Sequence, residues 1–447
     1  MARRFKNRMV TIALTLSMGF VLTQGAQGQS EQGADIDIIR YKINAELVPD
    51  SHTLKAQSAV TFKALKQTQS AVFEMNGSLV ISSVKGPDGK TELQFIQDRV
   101  NELNVKINLG QLYPAGSEIT LTFDYAGPLA TPEGGPIPDR RLAYVGPEGS
   151  YLFYAARWFP FHGYSADRAA SEINITVPAN WLVAGHSANP VTAIPTKDNK
   201  KTFSFVEPQP TLPGSFAAGQ FINRTITSGG MQIDLFVLPG SEGRVDEFGQ
   251  EIAQILQFYN TKFGPYAFGS RYVVAEIDDE SLDSYSGAGI SFLAHRTWVT
   301  ERMLPVDDLA REVAFQWWGQ AVGLKTFDDA WLSQGLAQYS AVLYRESRQS
   351  PAEFLGTISE ILELALAFEQ EASISRAPAQ LNDQSPAYRS VIFYKGAYVY
   401  HMLRSTIGDD KFFNLVKNYY STKKGQNASI DEFETLAEKT GGSNLRG

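Results

Sequence analysis

The sequence predicts an α+β chain: a β-rich N-terminal domain with sandwich or saddle-like sheets, then a mixed domain that becomes mostly helical. Three observations carry this prediction. From about Ile36 to Phe221, apolar and polar residues alternate between turn-forming Pro, Gly and Asn. After Arg224 a strand pair brackets a helical stretch, and from Pro305 onward apolar residues recur at helical spacing. A length of 447 residues also exceeds what one compact core ordinarily holds.

The elements follow in order. The stretch 41–65 holds two alternating runs separated by the turn signal Pro49-Asp50-Ser51. Further strands are expected around INLGQLYPAGSEITLTFDYAG, EINITVPANWLVAGHS and KTFSFVEPQ, with a surface loop at 131–141. MQIDLFVLPG and RYVVAEIDD flank a helix, VDEFGQEIAQILQFYNTKFG, that should stop at Gly264. Helices are then expected over 306–323, 329–345, 352–371, 390–406, 409–420 and 429–439.

The first residues read as a secretory leader over 1–28. Arg3, Arg4, Lys6 and Arg8 form a basic head, Val10 to Leu22 a short apolar run, and Ala26 and Gly28 a small-residue cleavage site. The run is too short to span a bilayer, and no later stretch is long and apolar enough to do so. Secretion or a periplasmic location is therefore expected. Loss of four positive charges takes the net charge from −8 to −12, which argues against nucleic acid as a partner. With 43% hydrophobic and 20% charged residues the chain is neither disordered nor fibrous. It has no cysteine, so disulfides, thiolate catalysis and cysteine-ligated zinc are excluded.

The richest segment is LAREVAFQWWGQAVGLKTFDDAWLSQGLAQYSAVLYRE (309–346). Asp307 and Asp308 suit a helix start, and Arg311 and Phe315, four apart, share a face with Glu312 beside them. Here the chain resembles the gluzincin aminopeptidases, peptidase family M1, which read His-Glu-x-x-His, then x-Trp-x-Gly, and a glutamate nineteen residues on within Trp-Leu-x-Glu-Gly. The frame is present as Gln316, Trp317, Gly319 and Trp331-Leu332-Ser333-Gln334-Gly335, and Phe315 to Gln334 spans nineteen positions.

The resemblance implies a thermolysin-like second domain with zinc as cofactor. It also implies that this chain has lost the ligands. The histidine positions hold Arg311 and Phe315 and the glutamate position holds Gln334. A guanidinium stays protonated and offers only donors, a phenyl ring has no lone pair, and a neutral amide is a poor zinc ligand. Ser286, in DSYSGAGISFL, falls where the family's amine-anchoring glutamate would be. In AYRSVIFYKGAYVYHML, matching Lys395-Gly396 puts Phe393 at the family's tyrosine; a shift of one residue would offer Tyr394. Glu312 alone remains, at the general-base position. Without a metal-bound water it has nothing to deprotonate, and a structural pairing with a cation, Arg311 foremost, serves it as well.

The resemblance extends to 156–187 and 258–277, and so to most of 36–447, divided as a β domain at 36–224 and a peptidase-type domain at 225–447. Where this chain stops, the family continues into a further helix, so the peptidase-type domain reads as truncated or completed by another element.

Other chemistry is thin. His52, His162, His186, His295 and His401 are scattered, and neither a Gly-x-Ser-x-Gly elbow nor a phosphate-cradling glycine loop occurs. Asp278, Asp279, Glu280 and Asp283 suit paired carboxylates or calcium, or simply a solvated acidic loop. Trp158, Phe159, Phe161, Trp317 and Trp318 either line a cleft or fill the core. Two functions stay open. One is an exported, catalytically inactive protein with a peptide-sized cleft for peptide or protein termini, or a scaffold, with no cofactor expected. The other is an active aminopeptidase or hydrolase with a non-standard metal site.

Overall fold

The computed structural model describes residues 35–131, 141–163, 167–279, 281–282, 284–299, 306–382, 385–442 and 445. The leader, most of the 131–141 loop, Glu280 and Asp283 lie outside the described residues.

The β-rich part is built on a seven-stranded sheet. Strands β1 (Ile36–Val48), β2 (Thr53–Ala64), β3 (Glu118–Pro128), β4 (Ala169–Pro178) and β5 (Lys200–Thr211) lie in the order β5-β4-β1-β2-β3, edged by Ala193–Thr196 and Val80–Lys85. Alternation decides which face is buried, and β1 shows how. Ile36 and Ile38 point inward, then the parity changes to Tyr41, Ile43, Ala45 and Leu47. A register shift between Ile38 and Arg40 supplies the extra residue that a β-bulge inserts, so both halves keep their apolar side on the core. A three-stranded sheet and a four-stranded sheet complete this part. Trp158, Phe159 and Phe161 are fully buried in its core.

Beyond it lies a five-stranded mixed sheet. Strands β6 (Ile222–Ser228), β7 (Met231–Val237), β8 (Arg271–Ile277), β9 (Ser284–Gly287) and β10 (Ile290–Ala294) run in the order β6-β7-β8-β10-β9. The parallel pair β7 and β8 is bridged by helix α1 (Val245–Phe263), the crossover that parallel strands require. Strands β8 and β10 are buried almost throughout, as expected where both sheet faces are covered. Helices α2 (Val306–Phe315), α3 (Ala330–Glu346), α4 (Pro351–Leu366), α5 (Lys395–Ile407), α6 (Asp409–Lys423) and α7 (Ile430–Gly441) follow.

Two expected helices differ from the periodicity. The segment 306–323 is α-helical only to Phe315, and Gln316–Ala321 forms a π turn. The segment 390–406 begins with a second π turn, Arg389–Tyr394, before α5. A wider turn seats large neighbours side by side, and Gln316, Trp317 and Trp318 are three consecutive buried side chains. Among the described residues no helix is long and apolar enough to cross a membrane.

A shared aromatic cluster joins the two parts. Phe153 stacks on Tyr285 at 4.8 Å and packs against Phe292 at 4.7 Å. Arg168, just before β4, donates from Nη1 to the Gln320 carbonyl at 2.7 Å, and burial lowers its pKa to about 10.

Candidate functional site

Arg311 and Glu312 sit on the buried face of α2, where Arg311 Nη2 and Glu312 Oε1 form an ion pair at 2.7 Å. The other carboxylate oxygen, Oε2, accepts from Ser286 Oγ at 3.0 Å. Ser286 also meets its cross-strand neighbour Ser291 at 3.0 Å, and Ser291 meets the Tyr272 hydroxyl at 2.7 Å. An ionised carboxylate only accepts and each hydroxyl has one proton. The chain therefore runs one way, Tyr272 to Ser291 to Ser286 to Glu312. Burial holds the Tyr272 hydroxyl well above its ordinary pKa, with the negative Glu312 adding to it against the Ser291 hydrogen bond. Tyr272 stays protonated and can only feed the chain.

The π turn after α2 fixes this cluster to the sheet. Gln316 Oε1 accepts from the Gly289 amide at 2.9 Å, while its Nε2 donates to the Gly287 carbonyl at 3.0 Å and the Ile290 carbonyl at 3.3 Å. Gln320 Nε2 donates to the Ser286 carbonyl at 2.8 Å. Two side-chain amides thus clamp the β9–β10 hairpin, whose strand β9 carries Ser286. Gly289, at φ +74°, suits only glycine, and a Cβ there would lie 2.2 Å from the His186 ring. The Phe315 ring leans onto Gly319, where a Cβ would come within 2.3 Å of it.

Phe393 meets the cluster beside a close helix crossing. A Cβ on Gly335 would lie 2.8 Å from the Gly396 Cα, and one on Gly396 would lie 2.9 Å from the Gly335 Cα. The two motif glycines let α3 and α5 touch backbone to backbone. Gln334 is one residue from this crossing and Phe393 three residues from it, and the Arg311 guanidinium lies 5.4 Å from the centre of the Phe393 ring. This contact places Phe393 at the site. Two polar atoms, Arg311 Nε and Gln334 Oε1, are shut off from solvent and have no hydrogen-bond partner among the described residues.

The positions at which the resemblance implies zinc do not suit it. Arg311 brings a fixed positive charge, Phe315 no donor atom, and Gln334 a neutral amide; only Glu312, already ion-paired, carries a ligating carboxylate. Among the described residues no group of three or more His, Asp or Glu could hold a metal. The histidines serve elsewhere. His186 bridges Glu207 at 2.6 Å and the Phe268 carbonyl at 2.9 Å, His162 pairs with Asp167, His295 with buried Glu276, His52 with the Val145 carbonyl, and His401 with Tyr339.

The remaining candidates resolve in the same plain way. Trp158, Phe159, Phe161, Trp317 and Trp318 line no cleft; each is core, because burying these rings outweighs exposing them. Trp317 Nε1 donates to the Gly264 carbonyl and Trp318 Nε1 to Ser340 Oγ. In the acidic stretch, Asp279 is held by Arg141, the Tyr151 hydroxyl and the Ser281 amide. Burial works to raise its pKa, yet these hydrogen bonds bring it below the ordinary value. Sequence reasoning missed Tyr272 and Ser291. Their only signal is cross-strand register, which a linear pattern does not reveal.

The chain's relatives agree with this architecture. The model of the peptidase family M1 domain matches residues 252–446. Probable aminopeptidase 2 of Sulfurisphaera tokodaii is 23% identical over 385 residues, covering 79% of this chain and 46% of that protein. Aminopeptidase 2 of Candida albicans is 21% identical over 424 residues, covering 90% and 45%. The chain thus spans less than half the length of these two relatives. In fold it is similar to the M1 zinc metallopeptidase of Deinococcus radiodurans, with a TM-score of 0.75, 21% identity and coverage of 93% of this chain and 92% of that one. With the frame at Gln316, Trp317, Gly319 and Trp331 to Gly335 set in this fold, residues 252–446 of the chain match the peptidase family M1 domain.

Proposed function

We propose that this chain is an exported, non-hydrolytic member of its family that binds polypeptide at the former catalytic cleft. It would be organised as a β domain over 36–224 and a peptidase-type domain over 225–447. The observation that carries the reading is the buried ion pair between Arg311 and Glu312 at 2.7 Å. A general base must be free to take a proton from an activated water. Here one oxygen of Glu312 accepts from Ser286 and the other is ion-paired with a permanent cation, Arg311. Phe393 has no hydroxyl to offer an oxyanion. The side chains at 311, 315 and 334 cannot supply a zinc site.

The test combines metal analysis of the purified, leader-free chain with a screen of aminoacyl amides for hydrolysis. The expected outcome is no stoichiometric transition metal and no turnover. Stoichiometric zinc with chelator-sensitive turnover would establish the rival reading, an aminopeptidase with a non-standard metal site. Export is checked by N-terminal sequencing of the protein recovered outside the cytoplasm, where a start at Gln29 is expected.

A further inference from the structure

We infer that helix α4 (Pro351–Leu366) carries a docking face for a basic amphipathic helix of a partner protein. The inference goes beyond the reading above and does not depend on it.

Helix α4 is apolar on more than the side its own fold uses. Phe354, Ile358, Ile361 and Ala365 recur at spacings of four, three and four, and they face inward. One residue on, the same spacing repeats at Leu355, Ser359, Leu362 and Leu366. A step of one residue turns a helix by about 100°, so the second row points away from the first. Leu355 is 69% exposed and Leu366 50%. Ser359 is exposed, and Leu362 is half-buried without packing on the helical core. A surface helix with one covered face uses one apolar stripe. The second stripe has the alternating three and four spacing through which helices interlock, with small Ser359 leaving room for close approach. That is the pattern of a helix that receives another helix.

Charge selects the occupant. From 350 to 375 the chain has five glutamates and no lysine, arginine or aspartate. Glu353 closes the N-terminal cap with Ser350, Glu360 pairs with Arg345, and Glu369 pairs with Lys395. Glu363, exposed beside Leu362, and Glu371 have no side-chain ion pair or hydrogen bond among the described residues. A second copy of α4 would set these like charges against one another, which repels. A helix that flanks its own leucine row with lysine or arginine meets both features.

Fluorescence anisotropy of the full leader-free chain with two labelled synthetic helices tests the inference. Both helices are about three heptads long with leucine at the two seam positions. One carries lysine at the flanking positions and the other glutamate. The lysine helix should bind at least about tenfold more tightly than the glutamate helix, and salt near 1 M should narrow that gap. Leu355→Ser/Leu362→Ser should weaken binding of the lysine helix at least about tenfold, through the apolar burial it removes. Thermal melts should show this variant as stable as wild type, since neither side chain packs in the core. Absence of binding by the lysine helix, equal binding of the two helices, or unchanged binding by the leucine variant would each overturn the inference. Sedimentation of the chain alone gives the remaining check. A monomer is expected, and a dimer abolished by Leu355→Ser/Leu362→Ser would assign this face to a second copy instead.

Discussion

Arg311 and Glu312 are adjacent in the chain and adjacent in space, with guanidinium and carboxylate 2.7 Å apart. Neighbours on a helix diverge by about 100° and do not ordinarily face each other. The long arginine side chain closes the gap, and its planar head lies against the Phe393 ring. The pair is buried on both sides, so its energetics differ from those of a surface ion pair.

Removing one member of this pair leaves a buried charge without its partner. Arg311→Met should cost about 3–5 kcal/mol of stability. The double variant Arg311→Met/Glu312→Leu should recover most of that loss, because two apolar side chains need no compensation. Urea denaturation of the two variants checks this. An unchanged midpoint for Arg311→Met would show that the ion pair holds nothing.

The sequence keeps the spacing of a metal-binding motif at positions 311, 315 and 334, and the residues there differ from metal ligands. The triple variant Arg311→His/Phe315→His/Gln334→Glu should therefore acquire zinc at one equivalent per chain by elemental analysis. It should still fail to hydrolyse aminoacyl amides, because Phe393 offers no hydroxyl. Absence of bound zinc would mean that α2 and α3 do not present these three positions to one point.

The crossing of α3 and α5 should be intolerant of a single methyl group. Gly335→Ala or Gly396→Ala places a Cβ under 3 Å from the facing Cα, and backbone cannot rotate aside as a side chain does. Overpacking of this kind costs about 1–3 kcal/mol. A Tm equal to wild type for both variants would show that the helices separate freely.

Glu432 should govern part of the acid sensitivity. Burial works to raise its pKa, but hydrogen bonds from Lys423, Lys325 and the Ser429 amide prevail and bring it from 4.5 to about 2. A folded-state value below the unfolded one contributes stability above about 4.5, lost as pH falls toward 2. The Tm gap between wild type and Glu432→Gln should be constant above that window and close within it. A gap that persists at the acid end would rule out this carboxylate as the source.

Much of the fold was legible without coordinates, because period-two and period-3.6 burial are local properties of the chain. The runs on either side of Pro49-Asp50-Ser51 became β1 and β2, and the helix ending at Gly264 became α1. The π turns at Gln316–Ala321 and Arg389–Tyr394 were not legible, since they answer to what packs against them. The five tryptophan and phenylalanine candidates for a cleft proved to be core for the same reason: exposure is a property of the assembled fold.

The sequence by itself determined the chemistry that is excluded. Residue identity alone fixes that the side chains at 311 and 315 offer no zinc donor, that 334 offers only a neutral amide and that Phe393 lacks a hydroxyl, whatever the backbone does. Only the tertiary structure decided what replaces that chemistry. Strand register brings Ser286, Ser291 and Tyr272 into one hydrogen-bonded line, and a glycine-to-glycine crossing lies three residues from Phe393, whose ring sits against Arg311. Residues far apart in sequence meet only when the core has been buried, and no local pattern records such a meeting.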